Sequence, residues 1–306
     1  MDTYPQVVTL EYGSIETLGL DVIRPLAEDI GGWPILDPNW SSRHYQLETM
    51  LAAARKYNVD TPIISLSVES DPSLPEKHII HIEQPHLGLP DRNLFLTENK
   101  AYAAYVTYML EVFKAFGANQ STVSNDVKDM VVFETQLAKL TQNVEEHHDH
   151  SQDQRLTIDQ LQHMFPGLDW KQYIYNIFNM DQVRITIHSN DVVLLSNAEY
   201  FRNVFSLLQN TSARAEANYI NWMLLQDLIM TLPAKIRQLH QTFTQALPDA
   251  TPESPRWQQC VDETNKAFSL AVARLFVDQH FDTASKLEVS FIVIGKRGRK
   301  YGKPFK

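Results

Sequence analysis

Six consecutive residues hold the densest supply of metal-binding chemistry in the chain: Glu145, Glu146, His147, His148, Asp149 and His150. Imidazole and carboxylate suit zinc, copper or nickel, and a helix end would bring His147 and His150 together at a spacing of three. His147, His148 and His150 are therefore the candidate metal cluster. Against it, contiguous ligands in a polar loop bind without defined geometry because ordering the loop costs conformational entropy. The plain alternative is a solvated loop between helices.

The other chemistries fail on residue pattern. A zinc peptidase of the His-Glu-x-x-His type needs two imidazoles one helical turn apart with a glutamate between them to activate water. That motif is absent from the 306 residues, as are a Gly-x-Ser-x-Gly elbow and a Walker loop, and ten glycines leave little for a phosphate cradle. The single cysteine, Cys260, lies between Gln259 and Val261 with no basic or helix-start environment to lower its pKa, so no thiol catalyst is expected. No catalytic residue is assigned, and substrate-binding residues stay unassigned.

One cysteine allows no intrachain disulfide, which favours a reducing compartment or a buried inert thiol. Three N-x-[ST] sequons, at Asn39, Asn119 and Asn210, are candidate glycosylation sites and point the other way. No run approaches the roughly 18 to 20 apolar residues that span a bilayer. The opening Met1-Asp2-Thr3-Tyr4-Pro5 lacks the basic flank and apolar region of a leader. The compartment stays unknown, with cytosolic retention as the physical default.

The elements that must position any site belong to a packed protein: 43% of residues are hydrophobic, 10% aromatic and 21% charged, with a net charge of −10. The one basic cluster is terminal: Lys296, Arg297, Arg299, Lys300, Lys303 and Lys306. Without it, 21 basic side chains face 37 acidic ones, so nucleic acid is not expected as a partner. Helices are expected over 17–30 and 42–57, then from Thr97 and from Val123. Two alternating segments, Ile64, Leu66 and Val68 against Ser65, Ser67 and Glu69, and Ile80 and Ile82 against His81 and Glu83, predict an antiparallel pair. A polar stretch over 145–154 precedes helices at 157–164 and 170–178. Val183, Ile185 and Ile187 alternate as a strand that would pair with 192–195. A long stripe from Ser212 to Ala246 predicts one helix kinked at Pro233, and a last stripe runs through Trp257, Val261, Phe268, Val272 and Leu275. Each stripe is expected to be core.

The segment 81–96, His-Ile-Glu-Gln-Pro-His-Leu-Gly-Leu-Pro-Asp-Arg-Asn-Leu-Phe-Leu, closely resembles a signature of the neprilysin family of zinc metalloendopeptidases. Gly31-Gly32-Trp33-Pro34, Asn39-Trp40, the aromatic helix through Tyr102, Tyr105 and Met109, and Glu134 to Leu140 are similar to the same family in the same order. So are 192–200, Asn218-Tyr219-Ile220-Asn221-Trp222, Pro255-Arg256-Trp257-Gln258-Gln259-Cys260 and 271–277. The resemblance covers about residues 9 to 289.

It implies a fold that is mainly α with small antiparallel β pairs, the N-terminal part of a two-lobed helical peptidase ectodomain. Residues 1–289 would form that incomplete domain, with a sub-lobe boundary near 145–156, and 290–306 a divergent basic tail, either disordered or binding acidic surfaces. Family members are membrane-anchored ectoenzymes that cleave short peptides with a zinc ion, which implies a plasma-membrane or extracellular setting. The zinc ligands of that family have no counterpart here: Asn197-Ala198-Glu199-Tyr200 only echoes a substrate-backbone motif. No cofactor is expected in this chain, and whether it is an enzyme by itself stays open. The resemblance also implies that Cys260 lacks its disulfide partner. The expected role is the non-catalytic N-terminal region of a neprilysin-like peptidase. The alternatives are a module binding short peptides or a full-length relative, or a truncated product without function.

Overall fold

The computed structural model describes residues 15–17, 19–57, 62–143, 153–180, 183–248, 250, 252 and 254–281. They belong to two compact units, Met1–Pro252 and Glu253–Lys306. The candidate cluster His147, His148 and His150 and the basic tail lie outside the described residues.

In the first unit, helices α1 (Arg24–Asp29) and α2 (Leu47–Arg55) precede strands β1 (Ser65–Ser70) and β2 (His78–Glu83). Helices α3 (Asn93–Leu96), α4 (Lys100–Ala115) and α5 (Val123–Leu140) follow. After β3 (Gln154–Thr157) come α6 (Ile158–Met164), α7 (Trp170–Phe178), the short β4 (Asn179–Met180) and β5 (Val183–Arg184), and β6 (Val192–Leu195). Helices α8 (Ala198–Gln209), α9 (Ala213–Leu228) and α10 (Ala234–Thr244) complete it. The second unit holds α11 (Arg256–Ala267) and α12 (Ser269–His280).

The helix boundaries follow local chemistry. Thr157 and Gln160 close a reciprocal capping box at the start of α6. Asn99 accepts the Tyr102 N–H at the head of α4 at 2.8 Å, and Gly117, at φ +84°, turns the chain after that helix. Thr97, where the sequence places the start of this helix, instead ends α3.

The core is aromatic. The Trp222 ring, fully buried on α9, meets Tyr105, Tyr108 and Phe113 of α4 with centroids 6.1, 5.3 and 5.4 Å away. Tyr108 stacks on Phe243 of α10 at 4.9 Å and 2°. Such pairs add roughly 0.5 to 1.5 kcal/mol each beyond area burial. α9 is buried all round from Ala215 to Trp222, so it is the central helix and not an amphipathic surface one.

One four-stranded sheet, in the order β1-β2-β6-β3, lies against this core. β1 and β2 pair antiparallel as expected, with Ser67 opposite His81 and Ser65 opposite Glu83. β2 and β6 run parallel, and β3 and β6 antiparallel. Alternation gives the sheet two faces. Leu66, Ile82, Val193 and Leu195 are buried on one of them; Glu69, His81, Glu83, Ser196, Asp153 and Arg155 belong to the other.

Three expectations are corrected in detail. β6 does not pair with 183–187: among the described residues β5 pairs with β4, and β6 pairs with β2 and β3, its Val193 and Leu195 fully buried. The stripe over 212–246 is broken, not kinked. α9 ends at Leu228, a 3₁₀ turn spans Ile229–Thr231, and Pro233 caps α10 at φ −55°, since it has no N–H to continue the ladder. The stripe through Trp257 is not core: α11 and α12 contain no buried residue, and Trp257, Val261, Phe268 and Leu275 are all exposed.

Candidate functional site

Within the first unit, several of the segments that carry the family resemblance, far apart in sequence, converge on a buried polar node around Glu134 and on α9. Glu134 of α5 is fully buried, and its carboxylate accepts three donors. Gly88 N–H reaches Oε1 at 2.6 Å, Tyr105 O–H reaches Oε2 at 2.8 Å, and Tyr219 O–H reaches Oε1 at 3.2 Å. The Trp222 indole N–H donates in turn to Tyr105 Oη at 2.7 Å. Burial pushes the Glu134 carboxyl up to about 7, against the pull of those three hydrogen bonds. Burial also drives the Tyr105 and Tyr219 phenols well above their ordinary value, with the Glu134 charge adding to it.

The neighbouring segments are tied in the same way. Ile35 N–H donates to Asn218 Oδ1 at 2.8 Å, and the Asn221 amide donates to the Gly32 carbonyl at 3.0 Å, which fastens the Gly-Gly-Trp-Pro turn to α9. Gly31 and Gly32 adopt φ of +115° and +88°, conformations that favour glycine. Tyr45 O–H donates to Glu216 at 2.7 Å, and burial raises the Glu216 carboxyl to about 7. Gln84 accepts from Gln142 N–H at 2.8 Å and from the Asn197 amide at 2.6 Å, joining the signature segment to the end of α5 and the start of α8.

A carboxyl held near neutrality is poised for proton transfer, and such groups concentrate at active sites. Glu134 does not act in this way here. Its oxygens are committed to three protein donors and none of its surface reaches solvent, so the node locks packing. Asn197 is likewise spent: at φ +47° it caps α8, accepting from Tyr200 N–H.

The polar face of the sheet brings together a second set. His81 Nε2 lies 2.7 Å from Ser196 Oγ, whose hydroxyl donates to Asp153 Oδ1 at 2.5 Å. His81 Nδ1 stands 3.7 Å from Glu69 Oε1. Ser196, His81 and Glu69 thus follow the order of a nucleophile, base and acid. The serine proton, however, runs to Asp153 and away from the imidazole, and Ser196 is buried, so it is not an activated nucleophile. Beside it Arg155 grips Asp71 through two bonds of 2.8 Å, which hold the Asp71 carboxyl down at about 2.

That pair carries a prediction. Asp71 ionises below its ordinary 3.8 in the fold, so its contribution is present above about pH 4 and fades as pH falls toward 2. Arg155→Gln is expected to destabilise the protein most above pH 4, with the difference from wild type shrinking toward pH 2. Urea melts followed by tryptophan fluorescence at pH 6, 4 and 2.5 measure it; a difference that grows on acidification contradicts the pairing.

A shallow cleft of about 340 Å³ opens between α6 and α7, lined by Asp159, Gln162, Asp169 and Lys171 among others. It holds none of the groups described above. The three sequon asparagines, Asn39, Asn119 and Asn210, are exposed, and Cys260 is a free, exposed thiol on α11. Among the described residues, no helix is long and apolar enough to cross a membrane.

Comparison with known proteins gives a consistent picture. Human membrane metallo-endopeptidase-like 1 is 28% identical over 294 residues, covering 91% of this chain and 38% of its own length. Human endothelin-converting enzyme-like 1 is 30% identical over 297 residues, covering 93% and 37%. Among solved structures, the Mycobacterium tuberculosis zinc metalloprotease ZMP1 in its open state superposes with a TM-score of 0.77 at 18% identity, over 94% of this chain and 43% of that one. PepO from Lactobacillus rhamnosis superposes with a TM-score of 0.68 at 19% identity, over 91% and 42%. These two likenesses carry the fold, mainly helical with small β elements, as the sequence resemblance implies. The chain spans well under half the length of these relatives. The family model described as peptidase family M13 matches residues 8–294, nearly the whole chain, and the protein therefore belongs to peptidase family M13.

Proposed function

We propose that these residues form the non-catalytic N-terminal region of a neprilysin-like zinc metalloendopeptidase, a scaffold for peptide cleavage whose hydrolytic groups are supplied by residues outside this sequence. The observation that carries this reading is the family match over residues 8–294 in a sequence that contains no His-Glu-x-x-His. Hydrolytic zinc of that type rests on two imidazoles from one helical turn with a glutamate to activate water. Among the described residues, one group of three His, Cys, Asp or Glu side chains converges, Glu69, His81 and Glu83, and it offers a single imidazole from a strand. It does not fit that hydrolytic role. Placement at a cell surface or outside the cell is part of the same reading and rests on the relatives alone.

Incubated with Zn²⁺ and a mixture of short apolar peptides, the purified chain is expected to return them intact by mass spectrometry. Fragments that vanish when a chelator is added would falsify this.

A second reading, a module that associates with a full-length family member, is favoured by one observation. Trp257, Leu270, Leu275 and Phe276 are 69, 86, 67 and 55% exposed, more apolar surface than a soluble helix pair keeps uncovered. Co-purification with a full-length relative, lost on Trp257→Glu with Leu275→Glu, supports it; a monodisperse chain that captures no relative removes it.

A further inference from the structure

The polar face of the sheet holds a constellation that the peptidase reading does not use. Glu69 on β1 and His81 and Glu83 on β2 share that face, because the antiparallel register sets Ser67 opposite His81 and Ser65 opposite Glu83. One nitrogen of His81 and one carboxylate oxygen from each glutamate all lie within 4.8 Å of one another. His81 is 3% exposed, whereas the Glu69 side chain reaches solvent.

The hydrogen bonds behind the histidine decide what its ring presents. Ser196 has one hydroxyl proton, and it goes to Asp153 Oδ1 at 2.5 Å. In the 2.7 Å contact with His81 Nε2, Ser196 Oγ is therefore the acceptor and Nε2 carries the hydrogen. In the neutral ring Nδ1 then turns a lone pair toward Glu69, 3.7 Å from its Oε1. An imidazole nitrogen with two carboxylates is a donor set for a divalent transition-metal ion. An N–H on the far side of the ring, braced by a hydroxyl and then a carboxylate, is the outer arrangement that orients metal-binding histidines and fixes their tautomer. Zinc ligands stand about 2.0 to 2.2 Å from the ion, so rotation of the two glutamate side chains toward the buried, fixed imidazole closes the site.

We propose that Glu69, His81 and Glu83 bind one divalent transition-metal ion of the zinc class, with Ser196 and Asp153 as positioning residues, and that the ion clips β1 to β2. The role is structural: all three ligands come from one hairpin, with Glu69 twelve residues before His81 and fourteen before Glu83, and binding stabilises the fold that presents them. The inference does not depend on the peptidase reading, since it concerns no hydrolytic step.

The test uses the full chain and Zn²⁺ alone, at pH 7.5. Competition with a chromophoric chelator is expected to give one tight equivalent, and the melting temperature is expected to rise with added Zn²⁺. Glu69→Gln and Glu83→Gln, each with an unchanged circular dichroism spectrum, should weaken binding at least tenfold, and Ser196→Ala about tenfold. Replacing His147, His148 and His150 together by alanine should leave the equivalent in place. Absence of stoichiometric binding overturns the proposal and leaves His81 as a buried polar side chain bonded to Ser196. Binding that survives Glu69→Gln and Glu83→Gln but disappears with the three loop histidines overturns it equally.

Discussion

Gly88→Ala is expected to destabilise the protein by about 3 kcal/mol, or roughly 6 to 12 °C in melting temperature for a unit of this size. A methyl group at that position would collide with the Tyr105 hydroxyl and come within 2.6 Å of Tyr105 Cζ and 2.8 Å of the Gln226 amide nitrogen. Tyr105 cannot step aside: its ring is fully buried, packed edge-on against Phe95 and near Trp222, and its hydroxyl is shared between Glu134 and Trp222. Backbone movement at residue 88 would in turn pull its N–H off Glu134. The check is a double-mutant cycle by urea denaturation. Removing the colliding oxygen with Tyr105→Phe should make the added methyl cheaper, so the two changes together cost less than their sum. A single mutant within 0.5 kcal/mol of wild type contradicts the close approach.

Glu134 carries the second large effect. Glu134→Leu leaves the Gly88 N–H and the Tyr105 and Tyr219 hydroxyls without their acceptor in a sealed core. At about 1 to 3 kcal/mol for each orphaned donor, the loss should be on the order of 4 kcal/mol after partial relaxation. The pH dependence separates the charge from the packing. Because burial raises the folded carboxyl to about 7 from its ordinary 4.5, the native state binds the proton more tightly than the unfolded chain. The stabilisation is complete below about pH 4.5 and is lost as pH rises through 7, at roughly 1.4 kcal/mol per pH unit inside that window. Glu216, raised to about 7 by its own burial, adds a parallel slope. Glu134→Gln should remove one of the two slopes: measured from pH 5 to 7, the wild type should lose stability more steeply than the variant. Equal slopes would show that Glu134 does not titrate there.

Much of this architecture is legible in the residues. Trp170 to Phe178 reads as a helix from its spacing alone, and the alternation of Ile64, Leu66 and Val68 with Ser65, Ser67 and Glu69 places the polar face of β1. Glu134 could have been found as well. It sits four residues after Met130 and three before Leu137, on the apolar face of α5, where a carboxylate must find donors. What hides the node is distance: Gly88, Tyr105 and Tyr219 reach it from three other segments, and no local pattern encodes that meeting. β6 shows the same limit, since its apolar run fits several neighbours and only the packed core selects a parallel partnership with β2. Glu69, His81 and Glu83 follow from alternation and register, but Ser196 and Asp153 arrive from the residues that flank β6 and β3. The stripe of α11 and α12 misleads in the opposite direction, because periodicity reports that a face is apolar and not what covers it.

On the proposed function, this scaffold does not supply hydrolysis by itself. The most direct test is the initial rate of cleavage of an internally quenched peptide by the full chain at pH 7, loaded with Zn²⁺ and then stripped by a chelator. The expected rate equals that of the peptide in buffer in both states. Turnover that appears with zinc, scales with the concentration of the chain and stops on stripping would contradict the account.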